Sequence, residues 1–280
     1  MKSGCFTVIF CVLVLTGYSQ YSKNTLALAV AGSDRMTVVK SSVHLAEWHE
    51  KTFWPLYEKY LTDAAKVYAQ TYRSLKSLAE TAPAAAEADA FENGWNVLTF
   101  RNDELLLRRK YYQEVGAVLN GVVALEFIQT EAMMDMLESA QIYSQTGWKR
   151  YRFQSQSLPS GEVQKAKHNM MTSALKLTPE KAELFWPVYA RYEEECDALL
   201  GEAYSVYNLF AVDAADFTPG LAKRLGNELL HVMEREIRLK ERYFLEINAS
   251  VGSTVAARFL AWEDYYSLVS KMNAWADQHK

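Results

Sequence analysis

The chain has 280 residues, of which 50% are apolar, 13% aromatic and 23% charged, with a formal net charge of −4. That composition excludes a disordered polymer, and the acidic balance excludes a dedicated nucleic-acid binder, whose phosphate contacts need a basic surface. Twelve Gly and six Pro leave few turns, so long helices are expected rather than many short strands.

At the N-terminus Lys2 precedes an apolar run from Cys5 to Thr16 and then Gly17-Tyr18-Ser19-Gln20. One basic residue before about a dozen apolar ones is the layout of a secretory signal peptide, too short to span a bilayer. Residues 1–20 are read as that signal, cleaved near Ser19 or Gln20, with Ala29-Val30-Ala31 as a second small-residue site. A lipid anchor would need a cysteine directly after the run, and Cys5 and Cys11 lie at its start and inside it, which argues against a lipoprotein. The mature chain is expected in the periplasm, with no membrane-spanning segment and with Cys196 as its one thiol. That thiol is read as a small apolar residue in a helix, with a disulfide-linked dimer as the alternative.

A first long helix is expected from about Leu45 to Leu78. It carries Phe53-Trp54-Pro55-Leu56-Tyr57-Glu58-Lys59-Tyr60, in which Phe53, Tyr57 and Tyr60 share one helical face. Pro55 removes a backbone hydrogen bond and clashes with the carbonyl of Lys51, so a bend is expected there. His44 and His49 stand five apart and align poorly for one metal ion. A second helix follows from about Ala88 to Val115, then a break over Gly116 to Asn120, then a third helix from Gly121 to Tyr143. The third carries Ala124, Phe127 and Glu131 near one face; Met133, Met134 and Met136 are read as core.

Residues 144–172 are read as a linker, aromatic and basic at Trp148-Lys149-Arg150-Tyr151-Arg152 and polar beyond it. The pattern then starts again. Phe185-Trp186-Pro187-Val188-Tyr189-Ala190-Arg191-Tyr192 repeats the earlier segment 132 positions on (185 − 53). The same offset pairs Gly94 with Gly226, Tyr111 with Tyr243 and Glu131 with Glu263, with about 22 identities between 41–143 and 173–275 and no gap. In this copy Thr178-Pro179 and Thr218-Pro219 read as helix starts, Thr as cap and Pro at the first helical position. Helices are expected to about Phe210 and Ile247, with a break over Asn248 to Gly252 and a last helix from Ser253 to about Ala276. The chain is therefore read as all-α: a tandem duplication of a three-helix up-down-up unit with six main helices, repeat one over 41–143 and repeat two over 173–280.

Two sets of residues invite a functional reading. Phe53, Trp54, Tyr57, Phe185, Trp186 and Tyr189 could form an aromatic binding surface, against the ordinary role of such a stripe as core. The repeated carboxylates Glu131 and Glu263 could form a site or a structural hydrogen bond, with Arg108, Arg109, Arg238, Arg242 or the repeated tyrosines as partners. Glu228 and His231 fit the Glu-x-x-His spacing of a di-metal bundle, but Asn96 and Thr99 stand at the matching positions of the first copy. No metal or other cofactor is therefore expected.

Leu177-Thr178-Pro179-Glu180-Lys181 resembles the Leu-Thr-x-x-Gln motif of the Spy/CpxP type of periplasmic stress proteins, with Lys181 in place of the glutamine. In the first copy, Leu45 alone is kept. The Phe-Trp-Pro-x-Tyr segment is similar to secreted helical proteins of Bacteroidetes-type bacteria. The first resemblance implies a helical cradle acting as an ATP-independent chaperone or restraining an envelope-stress sensor. The tandem copies would supply in one chain, as a monomeric pseudo-dimer or within a homodimer, what that family obtains by dimerising. The expected function is thus an exported, non-enzymatic helical binding protein whose partner is a protein client or an envelope component. The alternatives are a helical metal-binding or redox protein, or a structural component of the envelope.

Overall fold

The computed structural model describes residues 35–81, 87–144, 160–208 and 217–277. The signal at 1–20 and the basic aromatic stretch Trp148 to Arg152 lie outside the described residues. Among the described residues there are eight helices and no strand: α1 (Arg35–Ser42), α2 (Glu47–Thr81), α3 (Glu87–Val118), α4 (Gly121–Ser144), α5 (Ser160–Leu175), α6 (Pro179–Asn208), α7 (Pro219–Val251) and α8 (Ser253–Asp277). The expected count of six is corrected by α1 and α5. Helix α5 begins inside the stretch read as a linker, and α1 precedes the expected start of the first copy at 41.

The long helices start and stop where local chemistry requires. Thr218 is extended and its Oγ1 accepts the Leu221 N–H at 3.3 Å, with Pro219 behind it. Thr178 does the same for the N–H of Lys181 at 3.4 Å. Asn120 opens α4 by accepting the N–H groups of Val122 and Val123 at 2.9 and 3.0 Å. Each bond satisfies a donor that has no partner inside its helix. Gly252 breaks α7 from α8 with φ of +100°, a conformation from which a Cβ is sterically excluded. Helices α2 and α6 run through Pro55 and Pro187.

Helix α2 packs on α3 and α6 on α7, while α4 and α8 pack against α3 and α7 from both halves of the chain. The short helices α1 and α5 lie chiefly on α4 and α8. Buried Phe53, Tyr57, Tyr60 and Ala64 form the inward stripe of α2, and Phe185, Tyr189 and Tyr192 that of α6. Both stripes meet Phe127 or Phe259 edge-on, at ring separations of 5.0–6.3 Å.

The two halves meet reciprocally. Phe244 of α7 lies against Gly94 of α3, where an added Cβ would come within 2.6 Å of the ring. Tyr112 of α3 lies against Gly226 of α7, where the corresponding distance is again 2.6 Å, and its hydroxyl donates to the Lys223 carbonyl at 2.6 Å. Positions 94 and 226, and 112 and 244, are each 132 apart, so the two contacts exchange roles between halves. The helix starts do likewise: the Thr254 N–H donates to Glu87 of the first half at 3.0 Å, and Gly121 abuts the Pro219 carbonyl of the second. No helix among the described residues is long and apolar enough to cross a membrane.

Candidate functional site

The repeated carboxylates sit at the centre of each half. Glu131 on α4 is completely buried, and three tyrosines of α2 converge on it. The Tyr57 hydroxyl donates to Oε1 at 3.1 Å, and those of Tyr60 and Tyr68 donate to Oε2 at 2.7 and 2.8 Å. The Tyr60 and Tyr68 hydroxyls also touch each other. Arg35 reaches in from α1, its Nη2 3.4 Å from Glu131, with its guanidinium 4.3 Å over the Tyr68 ring.

In the second half Tyr189 and Tyr192 donate to Glu263 at 2.8 and 3.0 Å. The cation there is Lys167 of α5, 132 positions after Arg35; it bonds Glu193 at 2.9 Å and lies over the Tyr189 and Tyr266 rings. A carboxylate taken out of water needs hydrogen-bond donors and a nearby positive charge, and each half provides both. Burial and then the adjacent carboxylate push the hydroxyls of Tyr57, Tyr60 and Tyr189 far above the ordinary phenol range, so they act as donors at physiological pH.

The tyrosines expected among the partners are therefore the ones used. Of the expected arginines, Arg109 bonds Glu234 at 2.7 Å, Arg238 also pairs with Glu234, and Arg242 pairs with Glu195. The cations that serve the repeated carboxylates, Arg35 and Lys167, precede the expected copies and were missed. The signal available was the offset itself, since it aligns a basic residue with a basic residue at 35 and 167.

A second aromatic–carboxylate pair recurs nearer the surface, where Tyr111 donates to Asp63 at 2.5 Å and Tyr243 to Glu195 at 2.8 Å. The junctions before the first long helices show the opposite chemistry. Glu126 accepts the backbone N–H of His44 at 2.9 Å and meets its ring at 2.8 Å, whereas Arg258, the matching residue, donates to the Leu175 carbonyl at 2.9 Å.

The candidate aromatic surface is corrected. Phe53, Tyr57, Phe185 and Tyr189 are buried, because their face of the helix carries the apolar stripe onto α4 and α8. Trp54 and Trp186 alone of the six stay half-buried. Lys40 lies 5.5 Å from the Trp54 ring, and the His168 ring stacks on Trp186 at 4.5 Å. On the same two helices Trp48 is 68% exposed at the start of α2 and Leu184 is 55% exposed on α6.

Glu228 and His231 are exposed on α7 beside Lys223, Arg224 and Asn227. No group of three or more His, Cys, Asp or Glu side chains placed to hold a metal occurs among the described residues. His44 is taken up by Glu126, His49 is buried apart from it, and Met133 and Met134 are core residues.

Cys196 is half-buried on α6, and burial pushes its thiol up to about 11. Alkylation of the native protein at pH 8 is therefore expected to run about a hundredfold slower than that of the same chain in denaturant. A thiol-reagent time course with and without urea checks this, and equal rates would contradict it.

No family model, no curated protein and no solved structure matches this chain.

Proposed function

We propose that the chain is a tandem duplication whose two helical units form one exported, non-enzymatic binding protein, chaperone-like or tied to envelope-stress sensing as the Spy/CpxP resemblance implies. The duplication is supported by contacts that recur at the 132-residue offset: Tyr57 and Tyr60 on Glu131 with Tyr189 and Tyr192 on Glu263, and the Gly94–Phe244 and Gly226–Tyr112 fits. Each unit then contains four helices, a short one and three long ones, in place of the three expected from sequence.

The observation that carries the binding reading is apolar exposure at two places, the start of α2 and the start of α6. Trp48 and Leu184 are exposed there and Trp54 and Trp186 half-exposed, the last two edge-on to buried Tyr57 and Tyr189. Indole rings cover apolar segments of a partner at little entropic cost while keeping a polar edge in water. The partner would be an incompletely folded protein client or an envelope protein.

The test is suppression of aggregation of a reduced, unfolding client without ATP. The chain is expected to slow aggregation at near-stoichiometric amounts. Replacing Trp48, Trp54 and Trp186 together by Ala is expected to remove most of the effect with helical circular dichroism unchanged. Loss of activity on a similar triple replacement at Trp95, Leu106 and Leu245, with the first variant fully active, would place the surface elsewhere and overturn this assignment.

A further inference from the structure

A string of buried and part-buried charges runs from the Glu131 cluster across the boundary between the two halves. Arg35 Nη2 is 3.4 Å from both Glu131 and Asp135. Asp135 pairs closely with Arg108, whose Nη2 is also 3.0 Å from Glu104. Arg101, one turn before Glu104 on α3, reaches Asp264 of the second half at 3.9 Å, and Lys240 holds the other oxygen of Asp264 at 2.5 Å. Glu236 faces Lys240 one turn away on α7. Glu104, Arg108 and Glu131 are buried, while Arg35, Asp135, Arg101, Asp264 and Lys240 keep some contact with solvent, so the string has an interior centre and partly exposed ends.

Glu104 and Arg108 recur at the offset as Glu236 and Lys240, but the residues that join the halves do not recur. At the 132-residue offset Arg101 corresponds to Met233, Asp135 to Ser267 and Asp264 to Ala132. One half thus supplies most of the charge, and the bridge to the other passes through Arg101, Asp264 and Lys240. Two carboxylates, Glu104 and Asp135, converge on the same nitrogen of the buried Arg108 guanidinium. In a low-dielectric interior, carboxylates held that close are relieved by one proton.

We propose that this string is a proton-operated latch between the two halves: a proton held by Glu104 beside Asp135 closes it, and loss of that proton loosens α3 against α4 and α8.

The groups facing Glu104 come from every element around it. They are Arg101 and Arg108 on its own helix, Asp135 on α4 and Arg35 on α1; behind these stand Glu131 of α4 on Arg35, Tyr60 and Tyr68 of α2 on Arg108, and Asp264 of α8, held by Lys240 of α7, on Arg101. Tyr143 of α4 adds a hydroxyl beside Arg101 and Asp264. Burial, then Asp135, push the Glu104 carboxyl from the ordinary 4.5 up to about 7, against the pull of Arg108 and Arg101. A carboxyl raised on folding stabilises the fold fully below its unfolded value, and that contribution is lost as pH rises through its folded value. The latch therefore works between about pH 4.5 and 7, closed on the acid side.

The test is amide hydrogen exchange of the full chain from pH 5 to 8.5, corrected for intrinsic exchange. Protection of α3 and the facing part of α8 is expected to fall by about tenfold or more across neutrality, while the first turns of α6 stay level. Glu104→Gln, which imitates the protonated side chain, should abolish this step and keep the acid-side protection throughout. Asp135→Asn removes the repelling charge, so its step should move to lower pH; this second variant decides the matter if the first fails to fold. A wild-type chain without a step, a step that survives Glu104→Gln, or one that Asp135→Asn leaves in place would overturn the proposal. Each of these readouts is independent of client binding.

Discussion

Replacing Glu131 by alanine is expected to destabilise the protein by about 3–5 kcal/mol, the range for removing one partner of a buried charge pair. The carboxylate takes three tyrosine hydroxyls and faces Arg35. Its loss leaves three tyrosine hydroxyls without their acceptor and with little access to water, while Arg35 keeps Asp135, and each stranded donor carries its own desolvation cost. Glu263→Ala should cost less, since Glu263 accepts from two tyrosines where Glu131 accepts from three. Glu58→Ala, on the exposed face of α2, is the control and should change stability by less than about 0.5 kcal/mol. Urea unfolding followed by circular dichroism measures all three. A cost below about 1 kcal/mol for Glu131→Ala, or a larger cost for Glu263→Ala, would show that the cluster is less essential to the core than its burial implies.

Gly94→Leu should destabilise by about 2 kcal/mol, because two opposing effects act at that position. A leucine in mid-helix gains about 0.8 kcal/mol of propensity over glycine. Overpacking costs about 1–3 kcal/mol or more, and here the new side chain meets the Phe244 ring and Leu260 in a buried contact. Packing should win. The discriminating measurement is a double-mutant cycle with Phe244→Ala, which opens space across the boundary and should recover much of the loss. The same should hold for Gly226→Leu with Tyr112→Ala, tempered by the lost Tyr112–Lys223 hydrogen bond. Strict additivity in both cycles would falsify the reciprocal fit between halves.

Much of the local structure was legible because it is encoded by short-range chemistry. Thr178-Pro179 and Thr218-Pro219 mark starts through capping and a preset backbone angle, and Gly252 marks a stop through its positive φ. The stripe of Phe53, Tyr57 and Tyr60 showed which face of α2 turns inward, since its spacing follows the helical repeat. The same stripe misled as a candidate surface, for an aromatic pattern has the same period whether it faces core or partner. Helices α1 and α5 escaped notice for a different reason. Arg35–Ser42 is eight residues with little amphipathic contrast and no acidic first turn, so its helicity depends on docking against α4.

The sequence by itself determined that the chain is helical, about where its longest helices begin, and that Glu131 and Glu263 occupy matching places among matching tyrosines; α3 and α7 run on to Val118 and Val251, into the stretches read as breaks. Those features depend on neighbours within about a turn or on a constant offset, which a one-dimensional reading captures. Only the tertiary structure decided which cation serves each carboxylate, which aromatic rings are left near water, and how Arg101, Asp264 and Lys240 meet across the two halves. These depend on residues far apart in the chain being brought together by packing. Between such residues electrostatic energy varies with distance and burial, quantities that no spacing in the sequence contains.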